Sequence, residues 1–372
     1  MTPTRLSVWA PLPLGAYARR RAKPLPFPLG DPRCRLYALG RHALWHGLRA
    51  LGLQPGDEVL TPAYHHGSEI EAMVAAGLSC RFYEARADLE PDEGELERLA
   101  SPRTRALHLI HPLGFPRDLV RWRRWCDERG WLLLEDAAQA WLSSRDGHPA
   151  GSLGDASIFC LYKSVGVADG AALVCREHVP LSAGRSAVGA AGVARRHRDW
   201  VAQRRPQLVP ERGGGTAADE YDPVADFALG NPSRPASAAT RYLAPRLAGD
   251  GVAAGRRESY QTMLDALGPL VPPPFDHLPE GASPMALPLA TDDKPRLLAG
   301  LQSSGVKALD FWSAPHPALP SQLFEGAAAR RASTVALPVH QELTGHHLER
   351  MVAIVRELDP KPSGLVPGAA RG

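Results

Sequence analysis

The residue best suited to covalent chemistry is Lys163, in Ser157-Ile158-Phe159-Cys160-Leu161-Tyr162-Lys163-Ser164-Val165-Gly166. An unpaired ammonium is costly to bury, and a lysine in apolar surroundings gives up its proton readily. Its free amine is then a nucleophile for a carbonyl and forms a Schiff base. Lysine is also scarce: of 43 basic residues only Lys23, Lys163, Lys294, Lys307 and Lys361 are lysine. Taken alone, Lys163 equally fits a surface lysine at a strand end with a packed stem. Asp136 follows the apolar run Leu132-Leu133-Leu134. A carboxylate there could hold a cation, a metal or a protonated ring nitrogen, or cap the next helix. Gly40-Arg41-His42 opens a helix, where free N–H groups and the dipole suit a phosphate, although an ordinary tight turn reads the same way.

Other chemistries find no pattern. The 14 histidines show no His-x-x-x-His beside a suitable carboxylate, so no metal site is expected. No Gly-x-Ser-x-Gly elbow, P-loop or dinucleotide fingerprint is present. A net charge of +3 argues against nucleic acid as the main partner. The apolar runs fall far short of the roughly 20 residues of a membrane helix. No secretion signal opens the chain, and Cys34, Cys80, Cys126, Cys160 and Cys175 are odd in number and unclustered. A reducing cytoplasm is the expected compartment.

These groups need elements to position them. The 372 residues suffice for a large domain and a smaller one. Residues 1–30, rich in Pro and Arg, read as an extended arm packed on a partner. Helices are expected over Arg41 to Leu51, Ser68 to Ala76, Pro91 to Ala100 and Asp118 to Arg129. Strands are expected over Glu58 to Thr61, Ser79 to Tyr83, Ala106 to Ile110 and Trp131 to Leu134. This alternation predicts an α/β fold with a mainly parallel sheet and helices on both faces. Ligands then bind at the carboxyl ends of strands, where Tyr64-His65-His66, His111-Pro112 and Asp136 lie. The large domain spans 31–235, with 183–226 as a mobile surface loop. A smaller C-terminal α+β domain spans 236–359, with helices Ser237 to Leu247, Lys294 to Ser303 and Gly345 to Leu358 and strands Ala286 to Ala290 and Ser333 to Leu337. Residues 360–372 form a tail.

A phosphate turn, then a strand-end acid, then a lysine one strand-helix unit later is the order of a pyridoxal phosphate site. That cofactor needs a lysine for its aldehyde, an acid to keep its ring nitrogen protonated, and amides for its phosphate. The sequence also resembles the DegT/StrS aminotransferases, fold type I pyridoxal phosphate enzymes, from about Leu36 to Leu358. Leu51-Gly52-Leu53-Gln54-Pro55-Gly56-Asp57-Glu58-Val59, Pro62-Ala63-Tyr64-His65-His66, Glu135-Asp136-Ala137-Ala138-Gln139-Ala140, Gly151-Ser152-Leu153-Gly154-Asp155-Ala156, Tyr162-Lys163-Ser164 and Leu337-Pro338-Val339-His340-Gln341 carry the likeness. The resemblance implies that Lys163 bonds the cofactor and shuttles a proton, Asp136 pairs with the pyridine nitrogen and Gln139 reaches the ring hydroxyl. It implies that Gly40, Arg41 and His42 hold the phosphate and that His65 lies against the ring face. A homodimer is implied too.

The chain departs from the family at Arg41, where Thr or Ser is common, and at Cys160, where a serine usually precedes the lysine. It departs again at Gly230-Asn231-Pro232-Ser233-Arg234, a segment that in the family reaches the neighbouring subunit's site; Arg234 is its substrate candidate. The expected activity is transfer of an amino group from glutamate or glutamine to a keto sugar or cyclitol. Another pyridoxal phosphate reaction, or a binding or regulatory protein without turnover, is the alternative.

Overall fold

A computed structural model describes residues 5–180, 190–205, 208, 226–249 and 251–366. Among the described residues a seven-stranded sheet forms the centre. Its strands are β2 (Arg35–Tyr37), β3 (Glu58–Pro62), β4 (Ser79–Tyr83), β5 (Thr104–Ile110), β6 (Leu132–Asp136), β9 (Ala156–Cys160) and β10 (Ala171–Cys175), in the order β2-β10-β9-β6-β5-β3-β4. β4, β3, β5, β6 and β9 run parallel, and β10 alone is reversed, pairing antiparallel with both β9 and β2. A small hairpin of β7 (Ser144–Arg145) and β8 (His148–Pro149) stands apart.

The inner strands carry apolar residues on both faces because both faces are covered. Ala106, Leu134 and Ile158 point to one side, where α1 (Gly40–Ala50) and α2 (Ser68–Ala75) bring Leu44, Leu48 and Met73. Their neighbours Leu107 and Leu133 point to the other, against Trp122 and Trp125 of α4 (Leu119–Arg129). α3 (Glu93–Leu99) adds Leu96 to that side. α4 starts at Asp118, whose carboxylate accepts the Arg121 amide, and stops at Gly130 in the left-handed conformation.

β9 runs into α5 (Leu161–Ser164), which carries Lys163. The segment 190–204, expected within a surface loop, is instead the helix α6 (Ala190–Arg204); most of the rest of 183–226 lies outside the described residues. α6 buries Arg196 and Ala202 against the body, which keeps it ordered although its sequence is largely polar. α7 (Ala238–Leu247) packs Leu243, Ala244 and Leu247 with Leu12, Trp141 and Phe159 beside the central sheet. α8 (Gly251–Leu267), absent from the expected elements, turns instead to the smaller C-terminal layer. The domain division remains a proposal, and this packing would move it from 235/236 to about residue 250.

That smaller layer is an antiparallel sheet of β11 (Ala286–Ala290), β14 (Thr334–Pro338) and β13 (Leu309–Asp310). α9 (Lys294–Ser303), α10 (Glu325–Ser333) and α11 (Gly345–Leu358) flank it. The N-terminal segment, which includes a short 3-10 helix over Leu14–Ala18, packs on its own chain. β1 (Leu6–Ser7) pairs in parallel with β12 (Val306–Lys307), and Leu6, Val8, Ala10 and Leu12 are buried.

Candidate functional site

Asp136 ends β6 at the middle of the sheet, in register with Ile110 of β5 and Ile158 of β9. Its Oδ1 accepts the Ala138 amide at 2.8 Å. Its Oδ2 faces His108 Nε2 across 3.8 Å, and that buried ring nitrogen has no hydrogen bond. Burial pushes the Asp136 carboxyl up, but His108, the Ala138 amide and Lys163 outweigh it and hold the carboxyl below its ordinary range.

Lys163 stands half-buried on the next strand unit. Its turn is tied at one end by the Leu161 amide donating to Gly170 O at 2.9 Å. Cys160, the last residue of β9, is buried, and burial raises its thiol while the Lys163 charge opposes this. Gly40 begins α1 against that sulfur: a Cβ there would lie 2.8 Å from Cys160 Sγ. α1 has no side-chain cap; its His42 and Ala43 amides both donate to Leu39 O at 3.2 Å.

Arg41 Nη1 donates to Asp226 O. His42 Nε2 donates to Leu229 O at 2.8 Å, and burial pushes the imidazole down to about 4. The neutral ring leaves Nδ1 buried without a partner. Gln139 is buried, and its Oε1 accepts the Leu113 amide at 2.7 Å, which orients the other half of the side-chain amide. Arg234 has an exposed side chain; its carbonyl accepts the Ala38 amide at 2.9 Å, beside the phosphate turn.

The geometry moves one expectation by a residue. His65 is wholly buried away from the site, donating Nδ1–H to Pro62 O at 2.9 Å and stacking on Phe82. His66 instead lies near Lys163, Arg41 and Asp136. The charges of Lys163, Arg41 and Asp136 all act on the His66 ring, and Phe227 meets it edge-on at 5.7 Å. Burial, then the Lys163 cation, push His66 down, so the ring is neutral. Which of two adjacent residues points inward depends on the turn after β3. Glu69 fixes that turn by accepting the His66 and Gly67 amides at 2.9 and 3.2 Å. His108 and Glu69 were not singled out in the sequence, because each stands alone in an ordinary strand or helix start.

The residues present fit pyridoxal phosphate. Asp136 offers a buried, ionised carboxylate whose Oδ2 has only a distant neighbour, as a ring N–H requires. The glycine-bared start of α1 suits a phosphate. Among the described residues no group of three or more metal-ligating side chains occurs. Among them, too, no helix is long and apolar enough to cross a membrane.

Residues 30–186 match the model of the DegT/DnrJ/EryC1/StrS aminotransferase family. Over 132 residues the chain is 30% identical to GDP-perosamine synthase of Vibrio cholerae, covering 35% of this chain and 36% of that one. Over 139 residues it is 35% identical to dTDP-3-amino-3,4,6-trideoxy-alpha-D-glucose transaminase of Streptomyces venezuelae, covering 36% and 37%. The match thus spans little more than a third of these curated relatives. The fold likeness reaches further. The solved structure of S. venezuelae DesV in complex with a ketimine intermediate superposes with a TM-score of 0.63 at 24% identity, covering 87% of this chain and 84% of that one. Over residues 30–186 the chain is thus similar to the DegT/DnrJ/EryC1/StrS aminotransferase family, and along most of its length it shares the fold of the solved DesV structure.

Proposed function

We propose that the protein is a pyridoxal phosphate-dependent aminotransferase moving an amino group from an amino acid, glutamate or glutamine, to a keto sugar or cyclitol. The observation that carries this reading is the convergence of Lys163 and an ionised, buried Asp136 at the carboxyl ends of adjacent strands β9 and β6. The sugar transaminases among the relatives support the acceptor class. We place the protein in the cytoplasm as a homodimer, with small-molecule donor and acceptor as its partners.

Pyridoxal phosphate supplies an aldehyde and an electron-withdrawing ring. Lys163 Nζ would hold the aldehyde and would accept and return a proton as a general base and acid. Asp136 Oδ2 would keep the ring nitrogen protonated, which a neutral side chain there would not do. The start of α1 and the Arg41 guanidinium would bind the phosphate, beside Cys160 and His42. His66 would lie against the ring, and Gln139 would hydrogen-bond its hydroxyl. Arg234, exposed near the phosphate turn, is a substrate contact.

The test is to add pyridoxal phosphate to the purified chain, reduce with borohydride and map the adduct. Wild type should carry it at Lys163, and Lys163→Ala should carry none. Adding donors and keto sugars while following the keto-acid product then identifies the substrates. Labelling at another lysine, or no uptake, sinks the reading and favours a binding protein.

A further inference from the structure

The guanidinium of Arg256, on α8, is 1% exposed. Each of its N–H groups meets a neutral oxygen. Nε donates to Gln341 Oε1 at 3.0 Å, and Nη1 donates to Pro284 O at 2.9 Å and Met285 O at 3.3 Å. Nη2 donates to Lys163 O at 3.1 Å and Ser164 O at 2.7 Å. Gln341 Nε2 adds a second donor to Ser164 O at 3.3 Å. No carboxylate pairs with Arg256 among the described residues. Burial pushes the guanidinium down to about 9, so it stays charged at neutral pH.

A buried cation met only by carbonyl dipoles is an expensive way to hold a core together, and an apolar side chain of similar size would often serve stability better. What the cation does provide is a planar fork that fixes several carbonyls at once. The turn it grips needs such a grip. α5 has four residues, too few to sustain itself, and its last carbonyls have no partner within the helix. Gly255 admits the brace: a Cβ there would lie 3.2 Å from Gln341 Cβ. Gln341 ends the Leu337-Pro338-Val339-His340-Gln341 motif, which otherwise has no assigned task.

We propose that Arg256 is a positioning residue for Lys163, holding from the C-terminal layer the backbone turn on which the reactive amine is mounted. The proposal rests on the reading of Lys163 given above. Amide hydrogen exchange of wild type and Arg256→Met reads the turn directly and requires no cofactor. Peptides covering 161–166 should exchange at least about tenfold faster in the variant, while β5 and β6 keep wild-type rates. In the loaded enzyme the same variant should lose about 10- to 100-fold in kcat, with KM for the amino donor within about threefold. Arg256→Lys, which keeps the charge and loses the fork, should fall between. Gln341→Ala removes one brace, should move exchange at 161–166 the same way, and replaces Arg256→Met if that chain does not fold. Unchanged exchange at 161–166 overturns the proposal, and so does acceleration spread evenly over the chain, the mark of a merely structural contact. If wild type takes up no pyridoxal phosphate at Lys163, the functional reading fails, while the exchange rates still decide whether Arg256 holds the turn.

Discussion

His65 and His66 differ by one position and by their whole surroundings. His65 stacks on Phe82 in the interior, whereas His66 shares its space with Lys163, Arg41 and Asp136. His66→Ala should therefore weaken pyridoxal phosphate binding by roughly 3- to 10-fold, the worth of an aromatic stack, with little change in Tm. His65→Ala should do the reverse, lowering Tm by several degrees through a buried void. Titrating cofactor absorbance and melting both variants separates the two roles. His42 makes the pH prediction. It is 2% exposed, and burial takes its pKa from 6.5 to about 4. Between those values the unfolded chain binds a proton that the folded chain refuses. The stability His42 contributes is complete above pH 6.5 and lost as pH falls toward 4, on the order of 3 kcal/mol. His42→Asn should flatten that part of the Tm-against-pH curve, as read by calorimetry.

At the scale of elements, α1 approaches β9 closely at the candidate site. Gly40→Ala would set a methyl 2.8 Å from Cys160 Sγ and push the helix start away from the phosphate. Affinity for pyridoxal phosphate should fall at least about tenfold, and Cys160→Ala in the same chain should restore most of it, a coupling that a double-mutant cycle measures. Much of this architecture was legible beforehand. β6 announces itself because Leu132-Leu133-Leu134 is an unbroken apolar run, and α4 because its cap and its Gly130 stop are local. α8 hides its period. Its buried face runs Val252, Arg256, Ser259, Tyr260, Met263, Leu264, Leu267, and a buried arginine and serine interrupt the apolar stripe. The same interruption concealed Arg256 itself, since no spacing rule marks a cation that bonds only carbonyls. Lys163, Asp136 and Gly40 stood out as candidates because a bare helix start, an acid and an amine follow one another in the order a pyridoxal phosphate site would need.

Over the whole molecule, the N-terminal arm joins the two layers. Its composition read as an extended arm, but its destination was illegible, because the strand it pairs with lies about 300 residues further on. Leu6 is wholly buried in the C-terminal core cluster. Leu6→Ala should cost about 2 to 5 kcal/mol, read as a lower denaturant midpoint at unchanged m. Farther along, Pro11 O lies 2.3 Å from where a Cβ on Gly166 would be, and Leu12 exchanges backbone and ring hydrogen bonds with Arg196 and His197 of α6. The arm thus touches the exit of the lysine turn as well as the smaller sheet.

This wiring sets an order of assembly. β1 is made about 300 residues before the strand it pairs with, so it is among the last of these elements able to dock. A nascent or prematurely ended chain would present Leu6, Val8 and Leu12 without a shelter, an apolar flag that quality control can read.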